Sequence, residues 1–298
     1  MINDVPFFSI IIPLFNCQDY IEQCLDSLLK QEFKNFEVII IDDASSDNSS
    51  KRVSRYLEDN RFSLIKNEKN LGLSLTRNKG LDKARGDNII FIDSDDFIES
   101  NSLRAIYQRM IQTNADVVLT KIHGFAELGV NRQYPAQPID ECVINNLDIE
   151  DFFLTLSKTQ LGLSPSVRYI CKRNIIEKNQ LRFKNIFNED ALWSLELILN
   201  CRTVNIIYSD YYRYRLRSDS LSTIINFDKA KCLLCSSIES YNMKFKYSNM
   251  HEFIRLRSKH IYDRAIQLMP SLLPFERETL ESFIAENRDV FDCLEIKQ

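Results

Sequence analysis

A chain of 298 residues can form one large α/β domain, or such a domain with an extension. Its 44% hydrophobic and 27% charged content suits a packed globular core, and only six glycines and seven prolines argue against long flexible linkers. The formal net charge of −4 disfavours nucleic acid as a partner.

The segment Met1-Ile2-Asn3-Asp4-Val5-Pro6 lacks the basic and apolar regions of a signal peptide. No run of about 20 apolar residues is present to span a bilayer. The expectation is a reduced, cytoplasmic protein, with any membrane contact peripheral at the inner face of the cytoplasmic membrane. Eight cysteines are scattered, and Cys232 and Cys235 form a lone C-x-x-C in a helical pattern, where packing is the simpler role.

In chain order, Phe7–Ile12 is a β-branched run closed by Pro13, and Gln18–Lys30 carries apolar residues at helical spacing. Phe36–Ile41 is a strand, followed by a helix through Val53 and Leu57 that Asp47 or its neighbouring serines can cap. Phe62–Lys66 is a strand, Leu73–Ala84 a helix, Ile89–Ile92 a strand, Ser100–Thr113 a helix and Asp116–Thr120 a strand. This βαβαβαβ order with continuous apolar strands predicts a mostly parallel sheet covered on both faces. Residues 124–146 look loop-like; Asp151–Leu156, Arg173–Lys178 and Asp190–Asn200 look helical, Val204–Tyr208 and Tyr211–Arg215 extended, and the chain from Asp228 mostly helical.

The fourth strand runs straight into Asp93-Ser94-Asp95-Asp96. Carboxylates crowded at a strand end repel unless a cation neutralises them, and Mg²⁺ sits readily between one or two carboxylates and phosphate oxygens. The plainer alternative is a strand end followed by a helix cap. Ligands of such sheets bind beyond the carboxyl ends of the strands, and three ends are polar here: Pro13–Asn16, Asp42–Ser46 and Asp93–Asp96. They should converge on one crevice. There is no GxGxxG and no GxxxxGK[ST], which disfavours ordinary dinucleotide and P-loop chemistry. A carboxylate at a strand end can accept an N–H from a base, Phe15 can stack, and Arg77 can pair with phosphate as a fork of donors.

Ser9-Ile-Ile-Ile-Pro-Leu-Phe-Asn16, Glu37-Val-Ile-Ile-Ile-Asp-Asp-Ala-Ser-Ser-Asp47, Asn70-Leu-Gly-Leu-Ser-Leu-Thr-Arg-Asn-Lys-Gly-Leu81 and Phe91-Ile-Asp-Ser-Asp-Asp96 together resemble family 2 glycosyltransferases, which carry the GT-A fold: a Rossmann-like, mostly parallel sheet with helices on both faces. The resemblance is strong over residues 7–120 and weaker to about 222. It implies a GT-A domain over 1–222, with a nucleotide-sugar half at 1–120 and an acceptor half at 121–222, then a helical extension at 223–298.

The resemblance further implies a nucleotide-sugar donor, most often a UDP-sugar. Asp43 matches the base contact with Asp42 beside it, and Pro13 and Phe15 match the strand end that frames the base. Asp93 and Asp95 match the family's Asp-x-Asp, the first serving the ribose side or the metal, and Asp95 binding Mn²⁺ or Mg²⁺. Asp96 stays open between support of the metal, a donor-sugar contact and a helix cap.

In Phe187-Asn188-Glu189-Asp190, Asn188 is a candidate N-cap, and Asp190 falls in the first turn, where acids are at home for electrostatic reasons alone. The resemblance makes Asp190 the catalytic base, with Asn188 where the family usually has Gly. An acceptor hydroxyl must shed its proton as it attacks the anomeric carbon, and a carboxylate in reach can take it. Inversion at that carbon is likewise an implication of the family. Arg215 and Arg217, in Tyr211-Tyr-Arg-Tyr-Arg-Leu-Arg217, are candidates for reaching the diphosphate, against a plain basic strand. His123 is a candidate ligand or acceptor contact, though a lone histidine is more often structural. The acceptor expected by family habit is a growing surface glycan of capsule, lipopolysaccharide or O-antigen type, on a lipid carrier. The basic residues of 229–264 are candidates for a membrane-facing side, against a packed amphipathic helix with a solvated face. The rival readings are a nucleotidyltransferase that makes the sugar nucleotide, and a non-catalytic protein that only binds it.

Overall fold

The computed structural model describes residues 5–126, 144, 145, 147, 149–158, 165–217 and 225–295. The strands are β1 (Phe8–Leu14), β2 (Phe36–Asp42), β3 (Phe62–Lys66), β4 (Asn88–Phe91), β5 (Phe97–Ile98), β6 (Val117–Ala126), β7 (Tyr169–Lys172) and β8 (Val204–Leu216). The helices are α1 (Ile21–Leu29), α2 (Ser49–Val53), α3 (Leu73–Lys83), α4 (Ser102–Thr113), α5 (Ile149–Lys158), α6 (Arg173–Lys178), α7 (Glu189–Asn200), α8 (Phe227–Asn242), α9 (His251–Leu268), α10 (Pro274–Glu286) and α11 (Arg288–Glu295).

Among the described residues the strands form one sheet in the order β3-β2-β1-β4-β7-β6-β8-β5. The first four lie parallel, as expected from their unbroken apolar runs; every residue of β1, β2 and β4 is buried. β7 enters antiparallel between β4 and β6, and β5 pairs antiparallel with β8, so the sheet is mixed. β7 and β5 are only four and two residues long, too short for periodicity to announce. The two extended stretches expected at 204–208 and 211–215 are one strand, β8, paired along β6 with register shifts around Lys121. β6 also runs on to Ala126, which places His123 in the strand. The rest of the 124–146 segment, and the boundary expected at 222/223, lie outside the described residues, except for 144 and 145.

Polar groups pin the far end of the sheet. Ser9 Oγ donates to Glu37 Oε1 at 2.6 Å, Arg85 donates to Glu37 from its backbone and its guanidinium at 2.8–2.9 Å, and Gly86 N donates to Ser9 Oγ at 2.7 Å. Burial raises the Glu37 pKa, but these bonds outweigh it and hold the carboxyl below its ordinary value. A Cβ on Gly86 would meet Ser9 N at 2.6 Å and the Phe8 carbonyl carbon at 2.7 Å, both backbone. Gly86→Ala must therefore push β1 off the α3–β4 turn. We expect a loss of about 3 kcal/mol, seen as a fall in Tm of roughly 5–10 °C. An unshifted melting curve would contradict the close approach.

The main core lies around the sheet, and a second cluster joins α8–α11 through Leu233, Leu234, Ile261, Leu280 and Phe291. Ala191, from the start of α7, belongs to this second cluster, so the helical extension braces that helix. Lys229 and Arg257, expected on a solvated face, are 7% and 3% exposed.

Candidate active site

The three polar strand ends meet as expected. Leu14 lies opposite Asp42, and β4 leaves β1 after the Ile11–Phe91 pair. Asp43 N donates to Leu14 O at 2.8 Å, and Ser46 N donates to Asn16 Oδ1 at 2.8 Å. Pro13 is buried in β1, whereas Phe15 is 46% exposed and presents its ring at the crevice end. Two non-glycine residues there have left-handed backbone, Asn16 at φ 48° and Ala44 at φ 59°.

Both expected base-side acids are buried and carry hydrogen bonds. Asp42 Oδ1 accepts from Ser45 N at 2.9 Å. Asp43 Oδ1 accepts from Asn67 Nδ2 at 2.7 Å and Leu71 N at 2.8 Å, and its Oδ2 accepts from Gly72 N at 2.9 Å. Asp43 thereby fixes the turn that launches α3, in which Gly72 holds φ 88°.

The largest departure from expectation is Arg77. It was expected to hold phosphate, but its side chain is 1% exposed and surrounded by acids. Nη2 donates to Asp93 Oδ1 at 2.8 Å, while Nη1 donates to Glu189 Oε1 at 2.6 Å and to Asp190 Oδ1 at 2.9 Å. Burial opposes its charge, yet Asp190, Asp93 and Glu189 outweigh burial and raise its pKa above the ordinary arginine value. The guanidinium sits 5.3 Å from the centre of the Phe183 ring, which stacks on Trp193 at 4.7 Å, with Phe91 edge-on to both. The floor of the site is thus aromatic. Two neighbours of Arg77 on α3 face the same way: Ser74 Oγ donates to Lys184 O, and Asn78 exchanges two hydrogen bonds with the Phe183 backbone. The Leu73–Leu81 motif therefore joins α3 to the segment that leads into α7.

α7 opens on Asn188, whose φ of 61° is left-handed. Asparagine is among the few non-glycine residues that tolerate this, which explains how it stands in for the expected Gly. Its side chain makes no cap bond; Arg264 Nη1 donates to its Oδ1 at 3.4 Å. The sequence assigns Glu189 no role, although its place beside Asp190 at a helix start is a usable signal. Burial and the neighbouring Asp190 push its pKa up to about 7, against the pull of Arg77. Burial also raises Asp190, again against Arg77, with Asp93 adding to the rise. The Glu189 side chain is 12% exposed and that of Asp190 22%.

A raised folded pKa means that folded Glu189 holds more proton than unfolded Glu189 between its ordinary value and about 7, so its contribution to stability falls as pH rises through that window. Glu189→Gln removes this titration. The stability of Glu189→Gln relative to wild type should climb between pH 5 and pH 8 by up to about 3 kcal/mol. Chemical denaturation across that range checks it, and a flat difference would contradict it.

The acid cluster itself is not uniform. Asp96 is 1% exposed; its Oδ2 accepts from Tyr212 Oη and its Oδ1 from Arg215 N, both at 2.7 Å. Tyr212 Oη also accepts from Asp93 N at 3.0 Å. Burial, then Asp95 and Asp93, push the Asp96 pKa well up. Its place is a buried anchor fastening β8 to the turn, and Tyr212 completes that anchor. Arg215, expected at the diphosphate, is 9% exposed; its Nε donates to Asp95 O at 2.8 Å, its Nη2 donates to Gln23, and it lies over Tyr20 and Phe125. Arg217 pairs instead with the Asp95 carboxylate, Nη2 to Oδ2 at 2.9 Å, with Tyr20 beneath it.

Asp93 and Asp95 are the cluster's accessible acids, with side chains 29% and 20% exposed. Burial and then Asp93 raise the Asp95 pKa despite Arg217, a residue of negative charge that a cation would relieve. The carboxylate oxygens of Asp93 and Asp95 are hard donors, which suit Mg²⁺ or Mn²⁺. Among the described residues no three His, Cys, Asp or Glu side chains form a ready metal cage.

A mixed, mostly parallel sheet with its acids at the strand ends and a helix start facing them is the GT-A fold of glycosyltransferases. The glycosyl transferase family 2 model matches residues 9–170, and the chain belongs to that family. An uncharacterized glycosyltransferase of Haemophilus influenzae is 31% identical over 247 residues, covering 82% of this chain and 89% of the relative. Glycosyltransferase GlyA of Streptococcus pneumoniae is 30% identical over 221 residues, 72% of this chain, but the match spans only 31% of GlyA. The match to the cholesterol galactosyltransferase of Borreliella burgdorferi, at 29% identity, spans 62% of that protein. The crystal structure of TarS residues 1–349 from Staphylococcus aureus superposes with a TM-score of 0.70 at 22% identity, over 97% of this chain and 81% of that one. Among the described residues no helix is long and apolar enough to cross a membrane.

Proposed function

We propose that this protein is an inverting glycosyltransferase that moves a hexose or N-acetylhexosamine from a UDP-sugar to a hydroxyl of a glycan acceptor, with a divalent cation. The observation that carries the reading is the convergence of Asp93 and Asp190 on Arg77, which brings donor-side and acceptor-side acids to one point. Two of the similar structures agree in chemistry: the TarS fragment has been solved with UDP-GlcNAc, and a mannosyltransferase of Pyrobaculum calidifontis with GDP-Man and Mn²⁺.

In this reading Phe15 stacks on the base, beside the strand end that carries Asp42 and Asp43. Asp93 faces the ribose, and Asp95, with Asp93 beside it, would hold Mn²⁺ or Mg²⁺. Once bound, the cation offsets charge gathering on the departing diphosphate. Arg217 is the arginine placed to meet that diphosphate. Asp190, the more exposed of the helix-start acids, takes the acceptor proton as the hydroxyl attacks opposite the leaving group. Arg77 opposes the rise that burial imposes on the Asp190 pKa and so favours its basic form.

For the acceptor we favour a lipid-linked surface glycan reached by a peripheral contact. Phe245, 80% exposed between Lys244 and Lys246, and Phe275, 65% exposed, support this contact. A panel of nucleotide sugars, screened for binding and hydrolysis with Mn²⁺, tests the donor. Hydrolysis of a UDP-sugar supports transfer. Pyrophosphate release from a nucleoside triphosphate and a sugar phosphate would favour a nucleotidyltransferase instead, and binding with no hydrolysis or transfer a binding protein.

A further inference from the structure

Three carboxylates from two separate parts of the chain share one guanidinium. Asp93 follows β4, at the donor end of the sheet; Glu189 and Asp190 open α7, on the acceptor side; Arg77 comes from the middle of α3 between them. Its two terminal nitrogens are divided between the sides, Nη2 to Asp93 and Nη1 to Glu189 and Asp190. At 1% exposure it offers no face to a substrate, so it cannot act by touching one. We propose that Arg77 is a positioning residue that sets the separation between the donor-binding acid Asp93 and the base Asp190, making the two half-sites one rigid unit. This rests on the transferase reading above for the names of the two roles, but the clamp itself rests on the three contacts.

The chemistry of the fork supports the assignment. A planar guanidinium presents its terminal nitrogens at fixed directions, whereas a lysine ammonium is a point charge that cannot hold two opposed partners in fixed geometry. The surroundings hold the fork still. The Phe183 ring packs against the guanidinium, and Ser74, about one turn before it, and Asn78, next to it, bind the backbone of Lys184 and Phe183. α3 is thus sewn to the segment leading into α7 at three successive points, and Arg77 is the one that reaches the reacting groups. Misplacing such groups by about 1 Å costs on the order of 100-fold in rate.

The test compares wild type with Arg77→Gln and Arg77→Lys. With Arg77→Gln, kcat should fall about 100-fold while UDP affinity by calorimetry stays near wild type. A merely structural role would lower both, or lower Tm alone. A second arm needs no substrate: the ¹³C carboxyl resonance of Asp190, assigned by its loss in Asp190→Asn. The charged groups facing Asp190 are Arg77 from α3, Asp93 beyond β4 and its neighbour Glu189, with Ser166 beside it. Loss of the guanidinium should move its titration to higher pH. Arg77→Lys keeps the charge and covers the case where Arg77→Gln fails to fold; it should retain the titration but still lose turnover. Wild-type turnover in either variant, or an unmoved Asp190 titration in Arg77→Gln, overturns the clamp. Failure of wild type to use any nucleotide sugar would instead count against the transferase reading, and the resonance arm would still decide the clamp.

Discussion

Asp190→Asn will cut sugar transfer by about 10²–10⁴-fold and leave UDP affinity close to wild type. The substitution keeps the shape of the side chain and leaves an oxygen to accept from Arg77 Nη1, now 2.9 Å from Asp190 Oδ1. The clamp can therefore survive while the basic lone pair is lost. The contrast with Glu189→Gln gives the result its force. Glu189 is the less exposed acid, and with its pKa near 7 it is substantially protonated at neutral pH. In the present assignment it accepts a hydrogen bond from Arg77 and takes no part in the proton transfer, and its amide variant keeps transfer measurable. Retained transfer in Asp190→Asn together with lost transfer in Glu189→Gln would hand the base role to Glu189. Retained transfer in both would remove the α7 acids from the chemistry.

Asp95→Ala should erase the metal-dependent part of UDP binding. Groups that only orient metal ligands cost about 10–100-fold when removed, so loss of a direct carboxylate ligand should exceed that range. Asp95 is exposed enough to be reached, is bracketed by Asp93 and Arg217, and carries a pKa raised mainly by burial and by Asp93. Removing it frees Arg217 from its 2.9 Å partner. Metal-free UDP binding should therefore persist, while the gain on adding Mn²⁺ disappears. Calorimetric titration of UDP with and without Mn²⁺ reads both. An unchanged gain from Mn²⁺ would sink the assignment. Asp96→Asn should behave differently, because Asp96 is spent on Tyr212 and the Arg215 backbone and its loss acts on folding.

Much of this arrangement was legible in the amino-acid order. Phe8–Leu14 and Phe36–Asp42 announce themselves because a buried parallel strand must be apolar on both faces, and Phe62–Lys66, at the sheet's edge, is buried only at Phe62. Their shared direction puts their polar ends on one edge, so the crevice of Asn16, Asp42, Asp43 and Asp93 follows from local pattern alone. The start of α7 was also visible, since acids gather where a helix exposes its N–H groups.

What only the tertiary structure decided is which of these polar residues bind each other. The seam of Ser74, Arg77 and Asn78 joins residues more than a hundred positions apart, and no local periodicity encodes such a pairing. Arg77 looks in the sequence like a free phosphate fork and proves in the fold to be the buried centre of three acids. Arg215 and Arg217 look equivalent on paper, two residues apart on one strand face. The first is turned into the turn behind the acids and the second onto Asp95, because β8 is tied down by Asp96 beside the first. Composition and periodicity determine where a chain is apolar and where it carries charge. The partner of each charge is set by the burial that three-dimensional packing imposes, since a charge taken out of water must find its opposite nearby.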